Sequence, residues 1–188
     1  MNQLLDNILK DLKKRQTNNR YDHTVSVMYT AAALCMRYGE DVNKGMLAGV
    51  LHDCGKLAEY KDYLAICQEF NIPINEDGRH APHLLHADLG AYFARERYFV
   101  TDEEILHAVK VHTTGCPNMS LLDKIVFIAD FIEPNREELP NLEHIRKLAF
   151  ENLDECIAIV AHQTIEYLKS KQYYIGKTTI ETYNYYKK

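Results

Sequence analysis

The chain has 188 residues, which gives a prior of one domain with room for a sizeable core. Hydrophobic residues at 46% and charged residues at 26% exclude a disordered polymer. A net charge of −5 disfavours broad electrostatic attachment to nucleic acid or anionic membrane. It leaves room for a small phosphorylated ligand, because a bound metal can reverse the local field. The longest apolar runs, Ala31 to Met36 and Cys156 to Ala161, fall far short of the ~20 residues that span a bilayer. Residues 1 to 16 lack a signal peptide's apolar block, so a cytoplasmic chain is expected. Cys35, Cys54, Cys67, Cys116 and Cys156 contain no C-x-x-C pair and read as reduced, mostly buried thiols.

In chain order the periodicity is helical. Leu4, Leu5, Ile8, Leu9 and Leu12 share one face of an N-terminal helix. A second helix is predicted from about Arg20 to Tyr38 with Gly39 as its stop. A third, capped at Asn43, carries Met46, Leu47, Val50 and Leu51 into His52-Asp53. Asp62 is expected to cap a short helix, and Asn75 to Arg79 reads as a loop. Pro82 suits the first turn of a helix continuing to about Tyr98. Thr101 with Glu104 resembles a capping box opening a helix that ends near His112. Thr113 to Asn118 reads as a turn, and Ser120 caps a helix to about Phe131. Pro134 and Pro140 bracket a connector, followed by helices near Leu142 to Phe150 and Asp154 to Lys171. The tyrosine-rich tail runs from Gln172 to Lys188. No segment alternates long enough for a strand, so the expected fold is all-α: a single helical bundle over 1–188.

Nine histidines are unusual for this length, and their placement matters more than their number. Imidazole with carboxylate suits Fe, Mn, Co or Zn, and His52-Asp53 at a helix end before Gly55 can converge on one ion. Such a pair alone is weak, and a capped helix end explains it as well. His23, however, shares a stripe with Val27, Ala31 and Leu34, which turns it inward. Asp130 follows Val126 by four and Leu122 by eight, which sets a carboxylate on an apolar stripe. A carboxylate there needs a cation or a donor network. His86 follows the turn-rich loop, and His112 closes its helix before Thr113-Thr114-Gly115. His80, His83, His107, His144 and His162 read as packing or surface residues, with His83 placed one turn before His86 as a supporting partner.

The order His23, His52-Asp53, Asp130 resembles the ligand set of the HD phosphohydrolase superfamily, and His86 and His112 resemble the extra histidines of its two-metal members. The segments Arg20 to Thr24, His52 to Lys56, Leu85-His86 with Gly90-Ala91-Tyr92, His112 to Gly115 and Ala129 to Arg136 narrow the likeness. Together they resemble the YqeK family, bacterial HD-domain hydrolases that split diadenosine tetraphosphate symmetrically into two ADP. The resemblance runs from about residue 4 to the tail.

That resemblance implies a metal-binding core over about 18–136 and a nucleotide-contacting C-terminal part over about 141–188. His23, His52, Asp53 and Asp130 would hold a first ion, with His86 and His112 completing a second site or touching phosphate. The implied cofactor is iron in a di-metal centre, with manganese or cobalt as alternatives, supplying an activated hydroxide. Asp53, Lys56, His86 and His112 are the implied catalytic residues. Arg20, Lys56, His86, His112, Thr113 and Arg136 would contact the phosphates. Tyr173, Tyr174, Ile175, Gly176, Lys177 and Thr178 would close over the nucleoside, since an aromatic stacks on a base and Gly permits close backbone approach. The implied partners are the dinucleoside polyphosphate and its nucleoside diphosphate product; a homodimer is expected separately, from the apolar, tyrosine-rich surface of the chain. Two other readings stay open: another HD-type nucleotide phosphohydrolase, or a nucleotide-sensing module without turnover. A guanosine tetraphosphate hydrolase typically carries a Glu-Asp pair soon after its His-Asp motif, and here Glu59 is followed by Tyr60.

Overall fold

The computed structural model describes residues 2–56, 62–136 and 141–187. Glu59 and Tyr60, and the Pro140 end of the connector, lie outside the described residues. The described residues form helices with no strand, in agreement with the all-α expectation. The order is α1 (Asn2–Arg15), α2 (Asn18–Tyr38), α3 (Val42–Leu51), α4 (Tyr63–Glu69), α5 (Glu76–His80), a 3-10 turn (Pro82–Leu85), α6 (His86–Glu96), α7 (Glu103–Val111), α8 (Leu121–Ile132), α9 (Leu142–Leu148), α10 (Leu153–Ser170) and α11 (Lys177–Tyr186). None of these helices is long and apolar enough to cross a membrane.

Helix α8 lies at the centre because it is apolar nearly all round, and such a helix must be covered on every side. Leu122 and Val126 join one core with Ile8, Leu12, Leu51, Leu89 and Val109. Ile125, Ile128 and Ile132 join a second with Val27, Leu34, Ile145, Ile157 and Val160. Helices α2, α3, α7 and α10 pack around α8, so the ends of α2, α3, α7 and α8 can meet at one point.

Several local expectations are corrected. Helix α3 is capped by Asp41, whose carboxylate accepts from the Asn43 and Lys44 amides, so Asn43 is the second residue of the helix rather than its cap. Helix α7 is capped by Asp102 rather than Thr101. In both places an Asp one or two residues from the expected cap supplies a better acceptor for the free helix amides. The Asn75–Arg79 loop is instead helix α5, because Asn75 Oδ1 accepts from the Gly78 amide and starts a helical turn. The Pro82 helix divides into a 3-10 turn and α6, which meet at Leu85-His86. Ser120 and Asp123 form the capping box of α8. All five cysteines are free thiols, with only Cys116 partly exposed.

Candidate metal centre

The centre is assembled at helix ends. Helix α3 stops at His52, and the following turn ends with the Lys56 amide on the Asp53 carbonyl. Gly55 is required there: a Cβ would come within 2.2 Å of the His86 carbonyl oxygen, so only glycine lets the turn lie against α6. The Cys54 thiol donates to the Gly90 carbonyl at 3.2 Å and fastens the same junction. His112 ends α7, His86 opens α6, and Asp130 projects from the last turns of α8. His23 comes from the second turn of α2, on the inward stripe its spacing predicted, with Val27, Ala31 and Leu34 all buried.

The ring orientations are set from behind. His52 Nδ1 meets the Gly49 carbonyl at 2.7 Å, His112 Nδ1 the Val109 carbonyl at 2.7 Å, and His86 Nδ1 the His83 carbonyl. A carbonyl only accepts, so each Nδ1 carries the proton and, in the neutral ring, each Nε2 presents a lone pair. Those lone pairs converge. His23 Nε2 and His52 Nε2 are 3.2 Å apart, as are His86 Nε2 and His112 Nε2. His23 Nε2 lies 3.0 Å and His52 Nε2 3.8 Å from Asp130 Oδ1.

Asp53 stands between the two histidine pairs. Its Oδ2 is 3.4 Å from His52 Nε2 and 3.8 Å from His23 Nε2, while its Oδ1 is 3.5 Å from His86 Nε2 and 3.4 Å from His112 Nε2. Asp53 Oδ1 is buried and accepts no hydrogen bond among the described residues, although Lys56 Nζ is 3.0 Å away. Facing lone pairs and an unsatisfied buried carboxylate oxygen repel each other unless cations lie between them. The donor set therefore fits metal, and two groups, His23/His52/Asp130 and His52/Asp53/His112, have mutually close ligand atoms. A carboxylate with one oxygen toward each group is the arrangement that two neighbouring ions share.

Electrostatics within the cluster are strongly displaced. Burial depresses the His52 basicity, and burial together with Lys56 depresses that of His86 well below the ordinary histidine value. Both rings are thereby held neutral, the form that binds metal. At His23 burial acts downward but is outweighed by Asp130, Asp53 and Glu133, which raise it. Burial pushes the Asp53 and Asp130 carboxyls up, but cationic and histidine neighbours, Lys56 and His52 at Asp53 and His23 and His52 at Asp130, overcome it and hold both ionised.

The expected phosphate contacts form a rim. Arg20 Nη1 is 2.6 Å from Asp53 Oδ2, Lys56 Nζ is 3.0 Å from Asp53 Oδ1, and Arg136 Nη2 is 3.9 Å from Asp130 Oδ1. Their side chains are 35%, 31% and 34% exposed, so each keeps a face toward solvent. A cleft of about 940 Å³ opens there, between Arg20, Tyr21, His23, Glu133, Asn135 and Arg136. At the second histidine pair, Thr113 Oγ1 lies 3.0 Å from both His86 Nε2 and His112 Nε2. Thr113 also lines a small cavity of about 110 Å³ with Asp77, Asp88, Thr114 and Thr178.

Within the tail the expected residues divide. Thr178 reaches that cavity, and Tyr174, although exposed, donates its hydroxyl to Asp77 at 2.9 Å. Ile175 is half-buried and Gly176 buried. Tyr173 is 61% exposed, and among the described residues the Lys177 ammonium pairs only with Glu181, at 3.8 Å, so neither side chain joins the centre there. His83 supports His86 through its main-chain carbonyl, and not through the ring its spacing brought forward.

Three supporting residues were not singled out by spacing. Glu133 Oε1 meets His23 Nδ1 at 3.1 Å and its Oε2 accepts from the Asn135 amide. Gln16 donates to the Asp53 carbonyl at 3.1 Å and accepts from Thr24. Asp77 receives the tail. Glu133 sits in the Ala129 to Arg136 segment, a signal that was present; Gln16 and Asp77 carry none.

The HD domain family model matches residues 20–135. The symmetrical bis(5'-nucleosyl)-tetraphosphatase of Halalkalibacterium halodurans is 40% identical over 176 residues, covering 94% of this chain and 93% of its own. That of Bacillus subtilis is 37% identical over 174 residues, covering 93% and 92%. A crystal structure from Clostridium acetobutylicum, described as a "predicted HD superfamily hydrolase involved in NAD metabolism", superposes with a TM-score of 0.91 at 36% identity, covering 96% and 95%. A matched HD core, near-full-length relatives and a conserved architecture agree: the chain belongs to the HD-domain family and, within it, to the YqeK family.

Proposed function

We infer that this chain hydrolyses diadenosine tetraphosphate, and related dinucleoside polyphosphates, symmetrically to two ADP. The observation that carries it is the pair of histidine groups bridged by Asp53 and rimmed by Arg20, Lys56 and Arg136. A di-metal centre supplies Lewis acidity and an activated water when bound. His23, His52, Asp53 and Asp130 would hold the first ion, and His86 and His112 with Asp53 would hold the second. Iron is the proposed metal, on the family resemblance and the mixed imidazole–carboxylate donors; manganese and cobalt suit the same donors.

The protein's own groups do the rest. Arg20, Lys56 and Arg136 neutralise the polyphosphate, and fixed cations aimed at developing charge favour the transition state over the ground state. Thr113 offers its hydroxyl to a phosphate oxygen beside His86 and His112, and the Tyr173 to Thr178 segment takes one nucleoside. Anchoring one nucleoside half in the segment, with Arg20, Lys56 and Arg136 on its phosphates, would set which phosphorus stands at the histidine–aspartate cluster and so which bond is cut. Residues of about 18–136 form the metal-binding core, and about 141–188 the nucleotide-contacting part. Five free thiols support a reducing, cytoplasmic setting, the negative net charge supports a small-molecule partner over nucleic acid, and the tyrosine-rich tail offers a homodimer surface.

The test is hydrolysis of diadenosine tetraphosphate by purified, metal-replete protein, with elemental analysis of the same sample. ADP as the sole nucleotide product supports the reading; ATP with AMP, or no turnover, overturns it.

A further inference from the structure

Asp77 lies outside every motif that carries the family likeness, yet it is 6% exposed and faces no cationic side chain at ion-pair distance among the described residues. A buried carboxylate in that position needs donors. It has four, and all come from one segment about a hundred residues downstream. Oδ1 accepts from the Tyr174 hydroxyl at 2.9 Å and the Lys177 amide at 2.8 Å. Oδ2 accepts from the Thr178 amide at 3.0 Å and the Thr178 hydroxyl at 2.8 Å. The His80 ring, one turn further along α5, stacks on Tyr174 with centroids 4.7 Å apart at 22°.

The two amides are the first free N–H groups of α11. A helix start normally finds its acceptor in its own N-cap side chain, but here the N-cap is Gly176, which has none. Asp77 supplies that acceptor across space. A side chain at 176 would compete for the place, since a Cβ there would lie 3.1 Å from Asp77 Oδ2. The other side of α11 is fastened to the turn after His112: Thr182 Oγ1 donates to the Thr114 carbonyl at 3.0 Å, and the Met119 amide donates to the Tyr186 hydroxyl at 2.8 Å. Helix α11 is thus held between the metal-site turn and Asp77, with Thr178 and Thr113 lining one cavity.

We infer that Asp77 is a positioning residue for the nucleoside half of the substrate, because it caps α11 in trans and so sets where Tyr174 to Thr178 stands relative to the metal centre. This inference rests on the proposed hydrolase reading, in which that segment contacts the nucleoside. Among the described residues the Asp77 carboxylate bonds to Tyr174, Lys177 and Thr178 and to none of the metal-site histidines, so it acts through the segment it holds.

The experiment compares wild type, Asp77→Ala and Tyr174→Phe for metal content, calorimetric ADP affinity and steady-state hydrolysis of diadenosine tetraphosphate. Asp77→Ala is expected to keep its metal, raise KM about tenfold or more, weaken ADP binding in the same ratio and change kcat by less than about threefold. Tyr174→Phe removes one of the four bonds and spares both amide contacts, so it shifts KM and ADP affinity the same way by less. Unchanged KM and ADP affinity in a folded Asp77→Ala protein, with only a lower melting temperature, would assign Asp77 to stability and overturn the inference. Wild type failing to hydrolyse the substrate defeats the hydrolase reading, whereas ADP affinity insensitive to Asp77 defeats the inference alone.

Discussion

Glu133 Oε1 and His23 Nδ1 meet at 3.1 Å, although 110 residues separate them. The contact fixes which His23 nitrogen carries the proton and turns the other toward His52 and Asp130. A carboxylate behind a histidine ligand raises its basicity and locks its orientation, and losing such a partner costs about 10–100-fold in metal affinity or activity. Glu133→Gln should therefore weaken metal retention by that order while the fold persists. Metal titration followed by circular dichroism checks it, and wild-type affinity in the variant would show that the contact is dispensable.

The ligand assignment makes a stronger demand. His52→Ala and Asp53→Ala should each lose bound metal and hydrolysis while keeping helical circular dichroism, since Asp53 lies between both histidine pairs. Elemental analysis of the purified variants is the measurement. Full metal content with full activity would remove the central assignment.

Lys56 and Arg136 stand at the rim and leave one face open to solvent. Lys56→Ala and Arg136→Ala should retain near wild-type metal but lower kcat/KM. Each lost charge-assisted contact is worth roughly 1.5–3 kcal/mol, or about ten- to a hundredfold. Kinetics unchanged in both variants would make them ordinary solvated cations.

Position of bond cleavage is open to isotope labelling. Hydrolysis in oxygen-18 water should yield ADP alone, with one labelled oxygen in one of every two ADP molecules, because water enters one phosphorus of a central anhydride. Labelled ATP or AMP would place the cut one phosphate away.

Asp77 also predicts a pH dependence of stability. Burial alone would raise its carboxyl, but the Thr178 amide and hydroxyl, the Lys177 amide and Tyr174 outweigh it, so the folded value lies below the ordinary 3.8. A depressed folded value means the ionised form stabilises the fold. That contribution is complete above the unfolded value and disappears as pH falls through the folded one. Wild type should melt about 5 °C above Asp77→Asn near neutrality. Calorimetry should find that gap constant down to about pH 5 and closing at lower pH. A gap that does not change with pH would mean the ionised carboxylate is not what holds the tail.

Much of this protein is local enough to be read along the chain. The helical stripe of α2 aims His23 inward, the Leu122–Val126–Asp130 stripe of α8 sets a carboxylate among apolar residues, and the Ser120 capping box marks where α8 begins. These follow from 3.6-residue periodicity and from the acceptor needs of a helix start, which involve neighbours within a few positions. Hence the order His23, His52-Asp53, His86, His112, Asp130 is legible in the sequence itself. The sequence did not reveal that Asp53 turns one oxygen toward each histidine pair, that the cap for α11 comes from Asp77, or that Gln16 and Glu133 hold ligands from behind. Each of these is a hydrogen bond or electrostatic contact across tens of residues, with no period and no spacing to betray it. The short helix at Glu76–His80 shows a related limit: Asn, Asp and Gly suit a turn and a cap equally well, and the Asn75 side chain closing on the Gly78 amide makes it a cap. Sequence determined which side chains are available to the site; close packing of the helix ends decided which atoms face one another, because only there do desolvation and unsatisfied charge select a single arrangement.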